Sequence, residues 1–275
     1  MALSELELQA FSSFEKTGWN RAADPYHHHW GNLSSQCAEP MLDAARVTRG
    51  STVLDVATGA GYVAAAAARR GATAIGIDFA QAQVELARSL YPHIEFRQGD
   101  AENLSFDEKS FDAVVVGFGI MHLPHPEQTF AETYRVLRSG GFFAFTVWAT
   151  PKPGEAFGIV FGAIQEHGEQ GAMLPPAPPY FRFADPEEVR NVFERTGFVE
   201  AGTCLVPQCW HHDTPDQVFD AFNEGAVRAT AMLRAQPAET REKIRTNVRA
   251  QVERLREGDK YVVPVPAALS WARKP

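Results

Sequence analysis

Val53-Leu-Asp-Val-Ala-Thr-Gly-Ala-Gly61 is the stretch on which the fold turns. Thr52–Val56 is a short apolar run of strand type. It ends in a glycine-rich turn, and the alanine-rich stretch Tyr62–Arg70 leaves that turn as a helix. Gly59 and Gly61 allow a sharp turn and a close approach of a ligand to the backbone. Outward from there the alternation continues. Thr73–Asp78 reads as a second strand, and Gln81–Leu90 as a helix with Val84, Ala87 and Leu90 on one face. Ile94–Gln98 and Asp112–Val116 read as the third and fourth strands. Pro126–Leu137 reads as a helix striped by Phe130, Tyr134 and Leu137, and Phe142–Trp148 as a fifth strand. Near-continuous apolar strands separated by helices predict a doubly wound α/β fold, a parallel sheet covered on both faces.

The flanks read differently. Leu6, Ala10 and Phe14 recur every four residues and predict a helix stripe that stops at Gly18. A polar and aromatic loop, Trp19 to Trp30, follows. A second helix begins near Ser34 or Ser35, and Pro40 starts or kinks it. Beyond the fifth strand, residues 149–184 break the rhythm with Phe157, Val160, Phe161 and Ile164 at helical spacing and a stiff run, Pro175-Pro-Ala-Pro-Pro179. Asp185, Pro186 and Glu188 form a helix start of the capping-box type, Gly197 ends that helix, and residues 199–209 read as a sixth strand. Two more helices are expected. One opens with Thr214-Pro-Asp-Gln217, and the other is striped by Ile244, Val248, Val252 and Leu255 with a mixed-charge face read as solvated. The last strand falls near 261–273, its regular pairing beginning after Pro264 and Pro266.

The chain has 275 residues, 45% of them hydrophobic, enough for one substantial core and a smaller cap. A formal net charge of -8 argues against a nucleic-acid partner, which needs a basic face. The start Met1-Ala-Leu-Ser-Glu-Leu-Glu7 lacks the basic end and apolar run of a secretion signal, and the apolar run Tyr62–Ala68 is too short to span a bilayer. Cys37, Cys204 and Cys209 have no metal-ligand spacing and read as reduced thiols. These features predict a cytoplasmic protein with neither a nucleic-acid nor a membrane partner.

Gly59-Ala-Gly61-x-x-Ala64 also fits a dinucleotide fingerprint. Asp55 separates the two readings. A pyrophosphate at this turn would meet a like charge, whereas S-adenosylmethionine carries a sulfonium and an ammonium and no phosphate. The bland alternative, an Asp that merely caps the next helix, loses ground to its context. Gly76-Ile-Asp78 puts a carboxylate at the end of the second strand, about 20 residues after the turn, where it can accept hydrogen bonds from ribose hydroxyls. Phe79 follows, able to flank an adenine. Gln98-Gly-Asp100-Ala-Glu102 then offers a carboxylate to the adenine amino group and the Ala101 N–H to a ring nitrogen.

With these pieces together, residues 50–150 resemble the class I S-adenosylmethionine-dependent methyltransferases, in the small-molecule group that includes the bacterial ubiquinone/menaquinone-biosynthesis enzymes. The resemblance is carried by Val53–Gly61, Gly76–Phe79, Gly99–Glu102, Phe111-Asp-Ala-Val-Val-Val116 and Val136-Leu-Arg-Ser-Gly-Gly141. Ala57 stands where the family usually has its first glycine. The N-terminal segment does not match the quinone enzymes, so a quinone substrate is not carried over. The resemblance implies a Rossmann-like seven-stranded sheet in the order 3-2-1-4-5-7-6, the seventh strand antiparallel, with a helical cap. It implies S-adenosyl-L-methionine as cofactor, held by Asp55, Ala57, Thr58, Gly59, Asp78, Phe79, Asp100, Ala101 and Phe118. It also divides the chain into a helical cover, 1–50, and a core, 51–275, whose insertions 149–184 and 210–260 hang over the active site.

The cover carries Phe157, Phe161, Met173, Tyr180, Phe181, Phe183, Trp210, Phe219 and Phe222, which as a group predict an enclosed apolar pocket for a small apolar or aromatic methyl acceptor. Tyr26-His-His-His-Trp30 does not read as a metal site, since adjacent loop residues rarely converge on one ion. Tyr26, His28 and Trp30 are instead expected at the pocket entrance, with His211 also binding substrate. His122, in Gly117-Phe-Gly-Ile-Met-His-Leu123, is the candidate catalytic base, because imidazole titrates near neutrality and the two glycines let the chain bend. Its bland alternative is a loop-shaping role. The expected reaction is methyl transfer to an O, N or C atom by in-line displacement. A nicotinamide-dependent oxidoreductase and a non-catalytic S-adenosylmethionine-binding scaffold stay open as alternatives. The chain is expected to be a monomer or homodimer.

Overall fold

Strand β1 (Thr52–Val56) lies inside the sheet, and only Thr52 among its residues is not buried. A computed structural model describes residues 3–169 and 174–275. Met173 lies outside the described residues. Around β1 run β2 (Thr73–Asp78), β3 (Glu95–Gln98), β4 (Phe111–Gly117), β5 (Leu137–Trp148) and β6 (Val199–Val206). Three short strands, β7 (Cys209–His212), β8 (Arg256–Glu257) and β9 (Lys260–Pro264), precede the last, β10 (Ala267–Arg273). The main sheet has the order β3-β2-β1-β4-β5-β10-β6. β1 to β5 pair in parallel, and β10 runs antiparallel between β5 and β6. This is the expected seven-stranded topology, with β10 in the seventh place.

Helices α1 (Glu5–Ser34), α2 (Ala38–Ala44), α3 (Tyr62–Arg69), α4 (Gln81–Leu90) and α5 (Pro126–Val136) belong to the first half of the chain. The second half adds α6 (Ala156–His167), α7 (Pro186–Thr196), α8 (Asp216–Glu224), α9 (Val227–Arg234) and α10 (Ala238–Val252). α2 packs on α3 and the sheet, while α5 packs on α7.

The largest correction concerns α1. It runs unbroken through Gly18 and Pro25, where a helix end and a loop were expected. Its buried stripe is Phe11, Glu15, Ala22, Ala23, Trp30 and Leu33, whereas Leu6 is 78% exposed. Packing explains the continuity. A Cβ on Gly18 would stand 2.2 Å from Val227 Cγ1, so the glycine permits a close crossing with α9. Pro25 lacks the N–H of one helical bond, and the tertiary contacts of the buried stripe outweigh that loss. A reciprocal Ser4–Glu7 capping box starts the helix.

The cap departs from expectation in three further places. The expected sixth strand splits at Pro207, which cannot donate a ladder hydrogen bond, and β7 joins β9 and β8 in a separate sheet of order β7-β9-β8. The expected last strand splits likewise, at Val265-Pro266, and β10 starts after both prolines. Three helices, not two, lie between β7 and β8, because α9 was not legible. Asp185 caps α7 through Glu187 N, but Glu188 pairs with Arg182 rather than closing a box.

Candidate active site

The loops after β1, β2 and β4 meet in a cleft that Trp19, Tyr26 and Ser34 of α1 also line. Ala57 (φ 53°), Gly59 (φ 53°) and Phe118 (φ 56°) all lie in the left-handed region. For Ala57 and Phe118 that conformation is strained, which explains why a glycine suits position 57. Thr58 N donates to Ile77 O at 2.8 Å and ties the first loop to β2. Gly119, expected to let the chain bend, serves another purpose. A Cβ there would stand 2.6 Å from the Ala57 Cβ, so the glycine lets the β1 and β4 loops touch. The left-handed residue is its neighbour, Phe118.

Two carboxylates organise this cleft. Asp55 is buried, and its Oδ2 accepts from Thr58 Oγ1 (2.6 Å) and Ala64 N (2.9 Å), so it does hold the start of α3. Its Oδ1 has no partner. Burial pushes the Asp55 pKa up to about 7, and the nearby Asp78 adds to the rise. Asp78 accepts from Gly59 N through Oδ2 and Ala80 N through Oδ1, both at 2.9 Å. Burial raises its pKa to about 6, with those N–H bonds and His122 opposing. Asp55, Ala57, Thr58, Gly59, Asp78, Phe79 and Phe118 thus line one cavity. A second cavity, of about 270 Å³, carries Asp78 and Phe79 on to Asp100 and Ala101. Asp100 Oδ1 is engaged by Glu102 N at 2.8 Å, and Gln98 Nε2 donates to Phe79 O at 3.0 Å. Glu102 is not free in solvent: it lines the second cavity and accepts from His125 N at 2.5 Å.

These residues fit the expected cofactor. The unpartnered Asp55 Oδ1 and the equally buried, unpartnered Gln83 Oε1 border the first cavity and lack donors. An ammonium and hydroxyls supply donors, whereas a pyrophosphate supplies none.

A third cavity, of about 200 Å³, opens beside the first and is made of side chains. α1 contributes Trp19, Tyr26 and Trp30. Phe118 stacks on Trp148 at 3.9 Å between centroids. Phe157 and Phe161 of α6, Tyr180, His122, and Val227, Arg228 and Met232 of α9 also line this cavity. Trp30 is buried at the hub, its Nε1 donating to Ala221 O at 3.0 Å and its ring touching Trp148, Phe157, Trp210 and Phe222. Of the cap aromatics, Trp210, Phe219 and Phe222 belong to the packed interior rather than to the cavity wall, and Phe183 packs on Phe130.

His28 and His211 are not brought to any of these cavities; both are exposed. Helix and strand geometry account for this. Tyr26 and Trp30, four apart on α1, share the inward face, and His28 between them points away. On β7 the side chains alternate, so Trp210 and His212 are buried and His211 faces out. Burial lowers the His212 pKa to about 4, leaving it neutral.

His122 stands in a short turn, Ile120–His122, and is 9% exposed. Its Nδ1 lies 2.9 Å from Glu15 Oε2, and that oxygen also accepts from Trp19 Nε1 at 3.1 Å. The Trp19 ring meets the imidazole edge to face at 4.9 Å. Glu15 was missed because the sequence reading put the wrong face of α1 inward. The spacing 11-15-19-22-26-30-33, followed through Gly18 and Pro25, would have found it. Among the described residues no group of three or more His, Cys, Asp or Glu is placed to hold a metal, and no helix is long and apolar enough to cross a membrane.

Comparison with known proteins agrees with this geometry. The family described as "Methyltransferase domain" matches residues 54–145, from β1 into β5. A demethylmenaquinone methyltransferase of Chlorobaculum tepidum is 37% identical over 115 residues, 42% of this chain and 46% of that protein. The chain thus spans about half the length of the curated relatives it matches first. A demethylmenaquinone methyltransferase of Deinococcus radiodurans is 31% identical over 197 residues, 66% of this chain and 74% of that protein. Phosphoethanolamine N-methyltransferase 2 of Haemonchus contortus, solved with S-adenosyl-L-methionine, shares the fold with a TM-score of 0.55 at 16% identity, covering 93% of this chain and 57% of that one. By its sheet order, its cleft and these relatives, the chain belongs to the class I S-adenosylmethionine-dependent methyltransferases of the ubiquinone/menaquinone type.

Proposed function

We propose that this chain transfers a methyl group from S-adenosylmethionine to an O, N or C atom of a small aromatic or apolar molecule, with His122 as the base. One observation carries the assignment: among the described residues His122 alone lines all three cavities. A group at that junction touches both the cofactor side and the acceptor side. When bound, the cofactor supplies an electrophilic methyl group on a sulfonium. Asp55, Gln83 and the Ala57–Gly59 loop would hold its amino-acid end, Asp78 its ribose, and Asp100 and Ala101 its adenine. The aromatic walls orient the acceptor and exclude water. With Nδ1–H donated to Glu15, Nε2 keeps its lone pair and takes the proton of an acidic acceptor. Glu15 therefore fixes the tautomer and stabilises the imidazolium that forms. The buried carboxylates at the glycine turn disfavour the nicotinamide alternative, whose pyrophosphate would meet them.

Labelled methyl transfer from S-adenosylmethionine to a panel of phenols, amines and a demethylated menaquinone tests this reading. Transfer is expected to at least one aromatic acceptor. His122→Asn should lower turnover with cofactor affinity nearly unchanged, and higher pH should partly restore the rate as the acceptor ionises itself. Cofactor binding without transfer to any acceptor would leave a scaffold. Loss of cofactor affinity in His122→Asn, with no rescue at high pH, would make His122 structural.

A further inference from the structure

The acceptor cavity has a cation in its wall without a carboxylate to match. Arg228 belongs to α9, and among the described residues its guanidinium makes only two long hydrogen bonds, at 3.3 and 3.4 Å, both to Pro175 O. No carboxylate of the described residues lies within 4.0 Å of it, and residues 170–173, Gln-Gly-Ala-Met, contain no acid that could. A guanidinium carries five N–H donors in a fixed fork, and among the described residues Pro175 O alone accepts from this one. It stands 5.7 and 5.9 Å from the ring centroids of Phe11 and Phe14, an environment that compensates charge only weakly. Burial pulls its pKa down, and Glu15 and Tyr180 oppose that pull without forming an ion pair.

The rest of the wall restricts what can answer this charge. The cavity is about 200 Å³, below the roughly 300–1,000 Å³ of drug-sized sites, so it suits one or two rings. An aromatic box alone also suits an ammonium. Arg228 in the same wall repels one, and Glu15, the carboxylate that could offset that repulsion, does not line the cavity: its Oε2 is engaged by His122 and Trp19, and its Oε1 is buried without a partner.

We propose that the acceptor is a small aromatic anion, its ring held between Trp19, Trp148 and Phe157 and its carboxylate, or a group of like charge, held by Arg228. This rests on the reading of the cavity as the acceptor site and deepens it by naming a substrate class. The rival account is that Arg228 only balances the buried charge of Glu15.

Three probes on one skeleton separate these accounts: 3-hydroxybenzoate, 3-hydroxybenzamide and 3-hydroxybenzylamine, anionic, neutral and cationic. Trp19, Trp30 and Trp148 line the cavity, so quenching of tryptophan fluorescence reports occupancy without turnover. Failure of methyl transfer and failure of this proposal are therefore distinguishable. The benzoate is expected to bind at least tenfold more tightly than the other two. Arg228→Met should remove that preference and Arg228→Lys should keep part of it. No binding of the benzoate at millimolar concentration, equal or tighter binding of the amide or amine, or a preference that survives in Arg228→Met would each overturn the proposal. If Arg228→Met fails to fold, the wild-type ranking and the Arg228→Lys titration decide alone.

Discussion

The proposed cofactor cleft and the proposed acceptor cavity share Trp19, Tyr26, Phe118 and His122 in their walls, yet they differ in material. The cleft is shaped by backbone, with Trp19, Tyr26 and Ser34 of α1 and Tyr62 of α3 also lining it. Its shape comes from loops at the ends of neighbouring parallel strands, from N–H groups aimed at Asp55 and Asp78, and from one glycine that lets two loops touch. The cavity is mostly side chain, drawn from α1, α6 and α9, which are far apart in sequence. A backbone site depends on the fold and on a few positions, so it can persist while other residues change. A side-chain site changes with each substitution. In the proposed reading, cofactor binding belongs to the loops of the sheet and substrate choice to the cover.

Four measurements can break that division or sharpen it. The largest effect is expected from Trp30→Ala. Truncating this buried hub should cost about 3–5 kcal/mol of stability in chemical denaturation. Where the protein stays folded, acceptor binding should be lost while S-adenosylhomocysteine still binds, because Trp30 does not line the cofactor cleft. Equal loss of both ligands would break the division. Asp78→Asn should do the reverse. In the proposed reading it removes charge-assisted hydrogen bonds to the ribose, so calorimetry should show cofactor affinity reduced roughly tenfold to a hundredfold, with acceptor binding retained.

The third measurement uses pH. Asp55 and Asp78 have folded pKa values of about 7 and 6, raised by burial above the roughly 3.9 of an unfolded Asp. The folded chain therefore keeps protons that the unfolded chain has released. Their contribution to stability is greatest below about pH 4, falls as pH rises to about 7, and is level above that. Cofactor binding favours the ionised carboxylates, so the rise in Tm given by S-adenosylhomocysteine should grow between about pH 5 and 8. A rise independent of pH would mean that neither carboxylate meets the ligand. The smallest effect is expected from Ala57→Gly, which relieves a left-handed alanine and should raise stability by about 1 kcal/mol or less.

The same division governs how much of the molecule could be read from its sequence. The sheet and the cleft were legible because their signals are local: a strand, a glycine turn and an acid at a strand end each fall within a few residues. Asp55, Ala57, Thr58, Gly59, Asp78, Phe79, Asp100, Ala101 and Phe118 all came to line the two cofactor-side cavities. The cavity was read less well. Gly18 and Pro25 are helix breakers by propensity, and only the contact of α1 with α9 reveals why the helix passes through them. That misreading hid Glu15 and put His28 on the wrong side. His211 failed for a related reason, since the break at Pro207 set the phase of β7. Arg228 carried no local signal, because its meaning lies in the carboxylate it lacks.

The contact between Ala57 and Gly119 ties together the substitution histories of two loops. With alanine at 57, a methyl group at 119 has no room, since it would lie 2.6 Å from the Ala57 Cβ and 2.9 Å from Val116 Cγ1. With glycine at 57 the first obstacle is gone, and only the rotatable Val116 side chain remains. Gly119→Ala should therefore be far more damaging alone than after Ala57→Gly, a non-additive pair in a double-mutant cycle. A lineage that exchanges both residues has one accessible order, with position 57 changing first. The alanine that relaxes the family pattern at the first loop thereby fixes the glycine at the second.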